Sequence, residues 1–516
     1  MEKYAYVQHL YQMADQSATQ GDWQRLYLAR CEMNRVSPST ENSLWQADAG
    51  RMLGLLSVEG SFGPEEIGFL RENGPSLFPH LFAAAIEQGG ISTSDLATFD
   101  ISMFSGNDRL VRAVSYAILH RGFETSELES MGVSEHGMIS IRDFPNKSSQ
   151  LVLEASVIDV SGFLDKIKAP AVQNRQIEVE SAEVIRLKNA LVWIESDVQL
   201  VEGQFVADQA TKLGGSGVDF GSDSRVMAST GGKVIITSNR SSVSKSVKRG
   251  LFLGYPMSRE WGHFHQSILT RLAFALEIYS DGDLDLILSS RVTQQGRDAI
   301  RMMHPNLRLY FFDPGTEISV EELLIVPSRG YTPEQLMPGS QMDLLRLTTD
   351  IDAMRIIRKR FEKSRPNIST LSATVYWSRQ SATYRKGPSD QILQYLAAGH
   401  GLDIVDLGNL NFIEQCDLVG RTNRSFGFRG SYLHNVACLA PMGSSHLIVT
   451  NDRPYEWQVL FVALTELLGQ EPLIIQGSSR LSLPFYSPTN FHSATDLSSE
   501  QIEFISELMV SGKEFT

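Results

Sequence analysis

From Glu260 onward, short apolar runs alternate with amphipathic stretches, and this alternation limits the possible folds more than any other feature of the chain. Helical periodicity covers 262–279 and 293–303, with strand-like runs at 284–288, 307–312 and 323–326. A long helical stretch, 341–361, stops before Pro366, and a second series begins. It reads as strand 373–377, helix 388–398, strand 403–405, helix 411–420, a strand into Gly427, strand 446–450, helix 455–468 and strand 473–475. Such alternation predicts parallel sheets with helices on both faces. Two such units joined by a long helix leave a cleft between the carboxyl ends of their strands, where such sheets bind ligands.

The N-terminal part has a different pattern. Up to about Met131 it is helical, with apolar positions such as Leu10, Met13, Leu26, Leu28, Met52 and Leu56 interrupted by turn signals at Gly21-Asp22 and Ser37-Pro38. Ala84-Ala85-Ile86 before Gly89 resembles Tyr116-Ala117-Ile118 before Gly122; helix-pair repeats and ordinary helix packing both explain the match. Between 151 and 249 the period shifts toward alternation, and 212–232 is a Gly- and Ser-rich loop or linker. The expected organisation is an all-α region over 1–140 that offers a surface to a protein partner. A first α/β lobe with a strand-rich section follows over 150–340, then a linker helix and a second, Rossmann-like lobe over 341–516.

At 516 residues the chain exceeds what one hydrophobic core normally serves. A net charge of −14 argues against a protein that coats nucleic acid or an anionic membrane. Cys31, Cys416 and Cys438 are far apart and match no zinc or disulfide pattern, which fits a reducing cytoplasm. No secretory leader and no 18-residue apolar run is present, so a membrane-attached substrate would be met peripherally, at the inner face.

Arg355, Arg358, Lys359, Arg360, Lys363 and Arg365 form a basic run that reads as a solvated helix face. Arg379 and Arg385 differ, because they follow the end of an apolar strand, where anions bind, and guanidinium forks suit phosphate oxygens; structural ion pairing is the alternative for the pair. Residues 427–435 also follow a strand and open a helix, so backbone N–H groups at Gly430 and Ser431 could face a pyrophosphate, with Gly427 permitting close approach. Glu414-Gln415 starts a helix, either to accept from sugar hydroxyls or to serve the helix dipole. His263 and His265 lie in Trp261-Gly262-His263-Phe264-His265; either is a base, a donor to phosphate, or a packed core histidine. The acidic pairs suggest no metal site.

These pieces together resemble a known family. Trp261 to Leu272 is similar to the "gHW/gHF…L.RL" motif of family 61 glycosyltransferases and the related capsular polysaccharide biosynthesis proteins. Ser378-Arg379 with Arg385 looks like its "SR…R…N", Glu414-Gln415 like its "EQ", and Gly427 to Asn435 like its "G.HG..L.N". The resemblance spans about 184–506. The chain has Arg429 where the family usually has His, Ser267 in place of an acidic residue, Asp390 in place of an Asn, and Tyr432 where a small residue is common.

The resemblance implies a GT-B-like pair of facing Rossmann-like lobes and an inverting transfer from a nucleoside-diphosphate sugar, taken as UDP-linked, to a saccharide or protein hydroxyl. The enzyme would be a hexosyl-, pentosyl- or N-acetylhexosaminyl-transferase with no cofactor and no obligatory metal. His263 would act at the acceptor side. Arg379, Arg385, Glu414, Gln415, Gly427, Arg429, Gly430, Ser431 and Asn435 would hold the donor. The alternative is a non-catalytic glycan-binding or scaffolding protein on the same fold.

Overall fold

The computed structural model describes residues 82–83, 85–86, 89–99, 113–114, 117–118, 121–159, 161, 176–208, 218–219, 225–230, 232–237, 244–329, 335–336, 350–364, 373–379, 388–450, 468–479 and 495–511. It is a mixed α/β structure built around a large sheet of thirteen strands and a separate parallel sheet of five.

In the large sheet, strands Arg308–Phe312, Asp285–Ser289, Ser244–Phe252 and Glu317–Ile325 run parallel in that order. The long strand Ala182–Trp193 pairs antiparallel with Glu317–Ile325 and continues into a meander through Val198–Val201 and Gln204–Ala207. The section read as strand-rich therefore extends the sheet of the first α/β unit, and Trp193, Val198, Phe205, Val226, Val234 and Ile236 form a hydrophobic cluster within it. Val133–Ser140, inside the stretch expected to be helical, is a strand that joins the sheet between Gln204–Ala207 and Lys233–Thr237. Its Met138 and Ser140 are buried and Glu135 and Gly137 exposed, an alternation that the buried Val133 breaks, so it does not stand out after helix Thr125–Ser130. The helical segments before it are not independent either, since Phe82, Ile86, Ala117 and Ile118 share a core with Val133 and Ile235 of the sheet. Residues 1–81 lie outside the described residues.

The second sheet has the order 403–405, 373–377, 422–428, 445–450, 471–476, all parallel. Numbered along the chain, this is 2-1-3-4-5, a doubly wound order whose direction reverses between the first and third strands. Alternate residues feed the two faces. Tyr376, Phe426, Phe428, Leu447 and Val449 pack with Leu393, Ala397, Ile505 and Met509 of helices Pro388–Gly399 and Ser499–Ser511. Val375 and Trp377 point the other way, into a core with Phe412, Val436, Met354 and residues of the first unit such as Phe264 and Leu272. One hydrophobic core thus runs between the two sheets.

The long helix is observed as Ile351–Ser364, and 341–349 lie outside the described residues, as do 455–467 of the helix expected at 455–468. Its basic run is only partly a solvated face. Arg358 donates to the Leu468 carbonyl at 3.1 Å, and Arg360 donates to the Leu276 carbonyl and to Glu277, each at 2.9 Å. Among the described residues no helix is long and apolar enough to cross a membrane.

Arg271 fixes the helix that leaves the Trp261 motif. Its side chain is 3% exposed and donates to Asp208 at 2.7 Å, to the Val326 carbonyl at 3.0 Å and to the Ser267 carbonyl at 2.6 Å, while lying over the Tyr255 ring. Removing one member of such a pair leaves a buried charge uncompensated. Arg271→Met is therefore expected to lower unfolding free energy by about 3–5 kcal/mol, read from the urea midpoint at an unchanged m-value; a change near zero would show that the pair is not structural.

Candidate functional site

The two sheets meet along the Trp261 segment. Trp261–His263 is one α-helical turn, Phe264–Leu269 is a π-helical stretch, and Thr270–Ile278 continues as α-helix. A π-turn rotates the side chains around it and often marks a functional site. Here it directs Trp261, His263 and His265 toward helix Tyr432–Leu439 of the second unit. Trp261 Nε1 donates to Asn435 Oδ1 at 3.0 Å, Asn435 Nδ2 donates to Gln415 Oε1 at 2.7 Å, and Gln415 Nε2 donates to the carbonyls of Leu407 and Leu410. Gly262 lies against the Ser431 side chain, since a Cβ placed there would be 3.6 Å from Ser431 Oγ. A further contact across the seam is Gln295 Nε2 to the Leu410 carbonyl, at 2.9 Å.

Three histidines line this seam. The His265 and His434 rings meet edge to face at 5.5 Å, and Trp261 stands edge-on to His265 at 4.7 Å. Burial pushes the His263 and His434 pKa values down to about 4, with the charge of His263 adding to the effect at His434. His265 is held well below its ordinary value by burial and by the neighbouring His434. All three are neutral at pH 7. His263 keeps partial exposure, whereas His265 is fully buried and His434 nearly so.

The second unit contributes the switch point of its sheet. Arg379 follows strand Ala373–Trp377, and Arg429 follows strand Thr422–Phe428, the neighbouring strand where the order reverses. Arg379 Nη1 donates to the Arg429 carbonyl at 2.7 Å, tying the two strand ends together. Burial lowers the Arg379 pKa, opposed by Tyr432, Asp390, Tyr376 and Asp406. Arg429 is 3% exposed. Ser431 is exposed at the N-cap of Tyr432–Leu439, and its side chain makes no capping hydrogen bond. Gly427 and Gly430 do not adopt positive φ, so space explains their identity better than backbone freedom.

The structure therefore brings together His263, Arg379, Gly427, Arg429, Gly430, Ser431 and Asn435 around the seam and the switch point. Arg385 lies outside the described residues. Glu414 accepts from the Asn411 N–H at 2.8 Å while Asn411 accepts from the Glu414 N–H at 3.0 Å, which is a capping box. Gln415 and Asn435 use their amides on each other, and both are buried.

A constellation on the first unit had no sequence signal. Glu195 is 3% exposed at φ 60°, a conformation that costs a non-glycine residue energy. Its carboxylate accepts from Ser289 Oγ at 2.6 Å and Arg291 Nη1 at 2.9 Å, with Ser258 Oγ at 3.4 Å. It thereby clamps the loops that leave Ser244–Phe252 and Asp285–Ser289 at the carboxyl ends of parallel strands. Glu195 and Arg291 are 96 positions apart, so no local pattern joins them.

Residues 261–445 match the family model described as Glycosyltransferase 61, which supports a family 61 glycosyltransferase and a glycosyltransferase activity. No curated protein matches the chain. Among solved structures, a diflavin flavoprotein A3 from Nostoc sp. is similar at 14% identity, over 28% of this chain and 90% of that one, with a TM-score of 0.19. So low a score carries no argument about the fold. Among the described residues, no group of three or more His, Cys, Asp or Glu side chains is arranged to hold a metal ion.

The histidines make stability depend on pH. Their folded pKa values lie below the unfolded value of 6.5, so the unfolded chain binds more protons between about pH 4 and 6.5. The stabilisation is complete above 6.5 and is lost as pH falls toward 4. Asp197 and Asp350, both raised to about 6 chiefly by burial, pull the opposite way in that window. Comparison with His434→Gln isolates the histidine term. Scanning calorimetry should show the drop in Tm from pH 7 to pH 5 reduced in His434→Gln, and an identical drop in both proteins would refute the assignment.

Proposed function

We propose that the chain is an inverting glycosyltransferase that moves a sugar from a nucleoside-diphosphate donor to a saccharide or protein hydroxyl, with the donor at the switch point of the second sheet. The observation that carries this reading is the strand order 2-1-3-4-5, which sets its reversal between the two strands ending at Arg379 and Arg429. Ligands of doubly wound sheets lie at that crevice. The two units would then act as the facing lobes of a GT-B architecture.

In this reading Arg379 and Arg429 offset the charge that develops on the departing diphosphate, aided by Arg385. Preorganised donors in a water-poor cleft are worth more than the water they replace. Ser431 adds its hydroxyl at the N-terminus of helix Tyr432–Leu439, where the Leu433 and His434 N–H groups already donate to the Gly430 and Ser431 carbonyls. His263 stands across the seam from Ser431, on the acceptor side. With a pKa near 4 it is unprotonated and able to take a hydroxyl proton, although so low a value makes it a weak base in the empty site. A bound diphosphate beside it would raise that value. Glu414, Gln415 and Asn435 support the site through capping and the Trp261 chain, and Glu195 holds Arg291 on the acceptor lobe.

The second reading is a non-catalytic glycan-binding or scaffolding protein. It is favoured by the use of Gln415 and Asn435 in fold-holding hydrogen bonds and by the apolar packing of two of the three histidines.

Isothermal calorimetry with uridine and guanosine diphosphates separates the readings. Arg379→Ala is expected to weaken the nucleotide that the parent binds by about tenfold to a hundredfold, the loss of a charge-assisted hydrogen bond of about 1.5–3 kcal/mol. Equal affinity in the variant would remove Arg379 from the phosphate site. Absence of binding by the parent would favour the scaffold.

A further inference from the structure

The loop 289–293 leaves strand Asp285–Ser289 and enters helix Gln294–Met303, and all of its side chains but one are committed to the fold. Ser289 Oγ donates to Glu195 at 2.6 Å and accepts from the Arg291 N–H at 3.1 Å. Ser290 Oγ donates to Asp313 at 2.7 Å, Val292 is buried, and Thr293 accepts from the Gly296 N–H as the helix N-cap. From the helix, Arg297 donates to the Ser290 and Val292 carbonyls while lying over the Phe311 ring. Arg291 is the exception. Its side chain is 54% exposed, and of its guanidinium nitrogens only Nη1 has a partner among the described residues, Glu195 at 2.9 Å. The Glu195 carboxylate is buried and also reaches Ser258 Oγ, while the Glu195 N–H donates to the Gly254 carbonyl at 2.6 Å. Glu195 at φ 60° and Met257 at φ 56° both hold left-handed backbone, which persists in non-glycine residues only where the surroundings enforce it and which concentrates at functional sites. The loop from Gly254 to Ser258 runs on into Trp261–His263. One buried carboxylate thus ties Arg291 to the loop that carries His263.

We infer that Arg291 is a specificity-determining residue of the first unit, which holds an oxyanion carried by the saccharide acceptor: a carboxylate, a sulfate ester or a phosphate ester. This rests on the acceptor side assigned above to the first unit. With Nη1 held by Glu195, the guanidinium keeps its Nε–Nη2 edge, and that edge presents two parallel N–H donors at the spacing of two oxygens on one oxyanion. A neutral sugar hydroxyl engages one of those donors, whereas an oxyanion engages both with its charge. The side chain has already given up rotamer freedom to Glu195, so a ligand need not order it. Because Glu195 balances the charge of the guanidinium, the preference comes from the fork and not from a surplus of positive charge, which keeps it modest and local.

Ligand-observed NMR titration of the full chain with methyl glucuronide, the sulfate and phosphate monoesters of glucose, and methyl glucoside is the test, with Tm recorded for each protein. The parent is expected to bind at least one of the anionic sugars about tenfold more tightly than methyl glucoside, by a margin that narrows in high salt. The sugar preferred identifies the oxyanion. Arg291→Lys keeps a cation beside Glu195 without the fork and is expected to lose the margin at an unchanged Tm. Should that variant not fold, Glu195→Gln combined with Arg291→Gln leaves no buried charge unpaired and is expected to lose the margin as well. A parent that binds the sugars equally or not at all, or a folded variant that keeps the parent's preference, overturns the inference. Uridine and guanosine diphosphates titrated into the same proteins separate it from the function proposed above. Nucleotide binding by a parent without a preference among the sugars overturns the oxyanion site and leaves the donor site standing. An Arg291-dependent preference without nucleotide binding supports the oxyanion site and removes the transferase reading. Nucleotide binding that weakens in Arg291→Lys puts Arg291 on the donor and overturns the acceptor assignment.

Discussion

The indole N–H of Trp261 ends on the side-chain oxygen of Asn435, which passes the link to Gln415 and from there to the carbonyls of Leu407 and Leu410. Much of the remaining structure depends on this chain of hydrogen bonds. It crosses from the first helix after a strand of the large sheet to two helices and a loop of the five-stranded sheet. Buried amides need partners to avoid a desolvation cost, so each group in the chain constrains the next. The common hydrophobic core would allow the two sheets some sliding, and the hydrogen bonds fix their register.

Holding that seam shut has an electrostatic consequence. His263, His265 and His434 are brought close in an environment that disfavours charge, and all three are kept neutral. The charged groups lie at the margins of the same region. Arg271 is matched by Asp208, Arg291 by Glu195, and Arg379 leans on a backbone carbonyl. The aromatic ring of Tyr432 lies over Gly427 and Gly430.

Much of the second sheet was readable because parallel strands buried on both faces, such as Ala373–Trp377 and Ser445–Thr450, leave apolar runs that the sequence displays directly. Strand Val133–Ser140 was not, since eight residues of half-buried alternation next to a helix give little signal. Residue roles were less legible than elements. Glu414 and Gln415 are neighbours in sequence, yet one closes a capping box at the surface and the other is buried at the seam, because adjacent helical positions point about 100° apart. Glu195 was invisible, since only folding brings it to Ser289 and Arg291.

The sequence by itself determined the alternation of strands and helices, the net negative charge, and a set of motifs that resemble those of family 61 glycosyltransferases, all of which are local or additive properties. Strand order, partner choice and burial were decided by tertiary structure. Those depend on which apolar faces meet and on which buried polar groups find partners across more than a hundred residues. That is why Trp261 and Asn435, 174 positions apart, share one hydrogen bond, and why the Tyr432 ring covers Gly427 and Gly430.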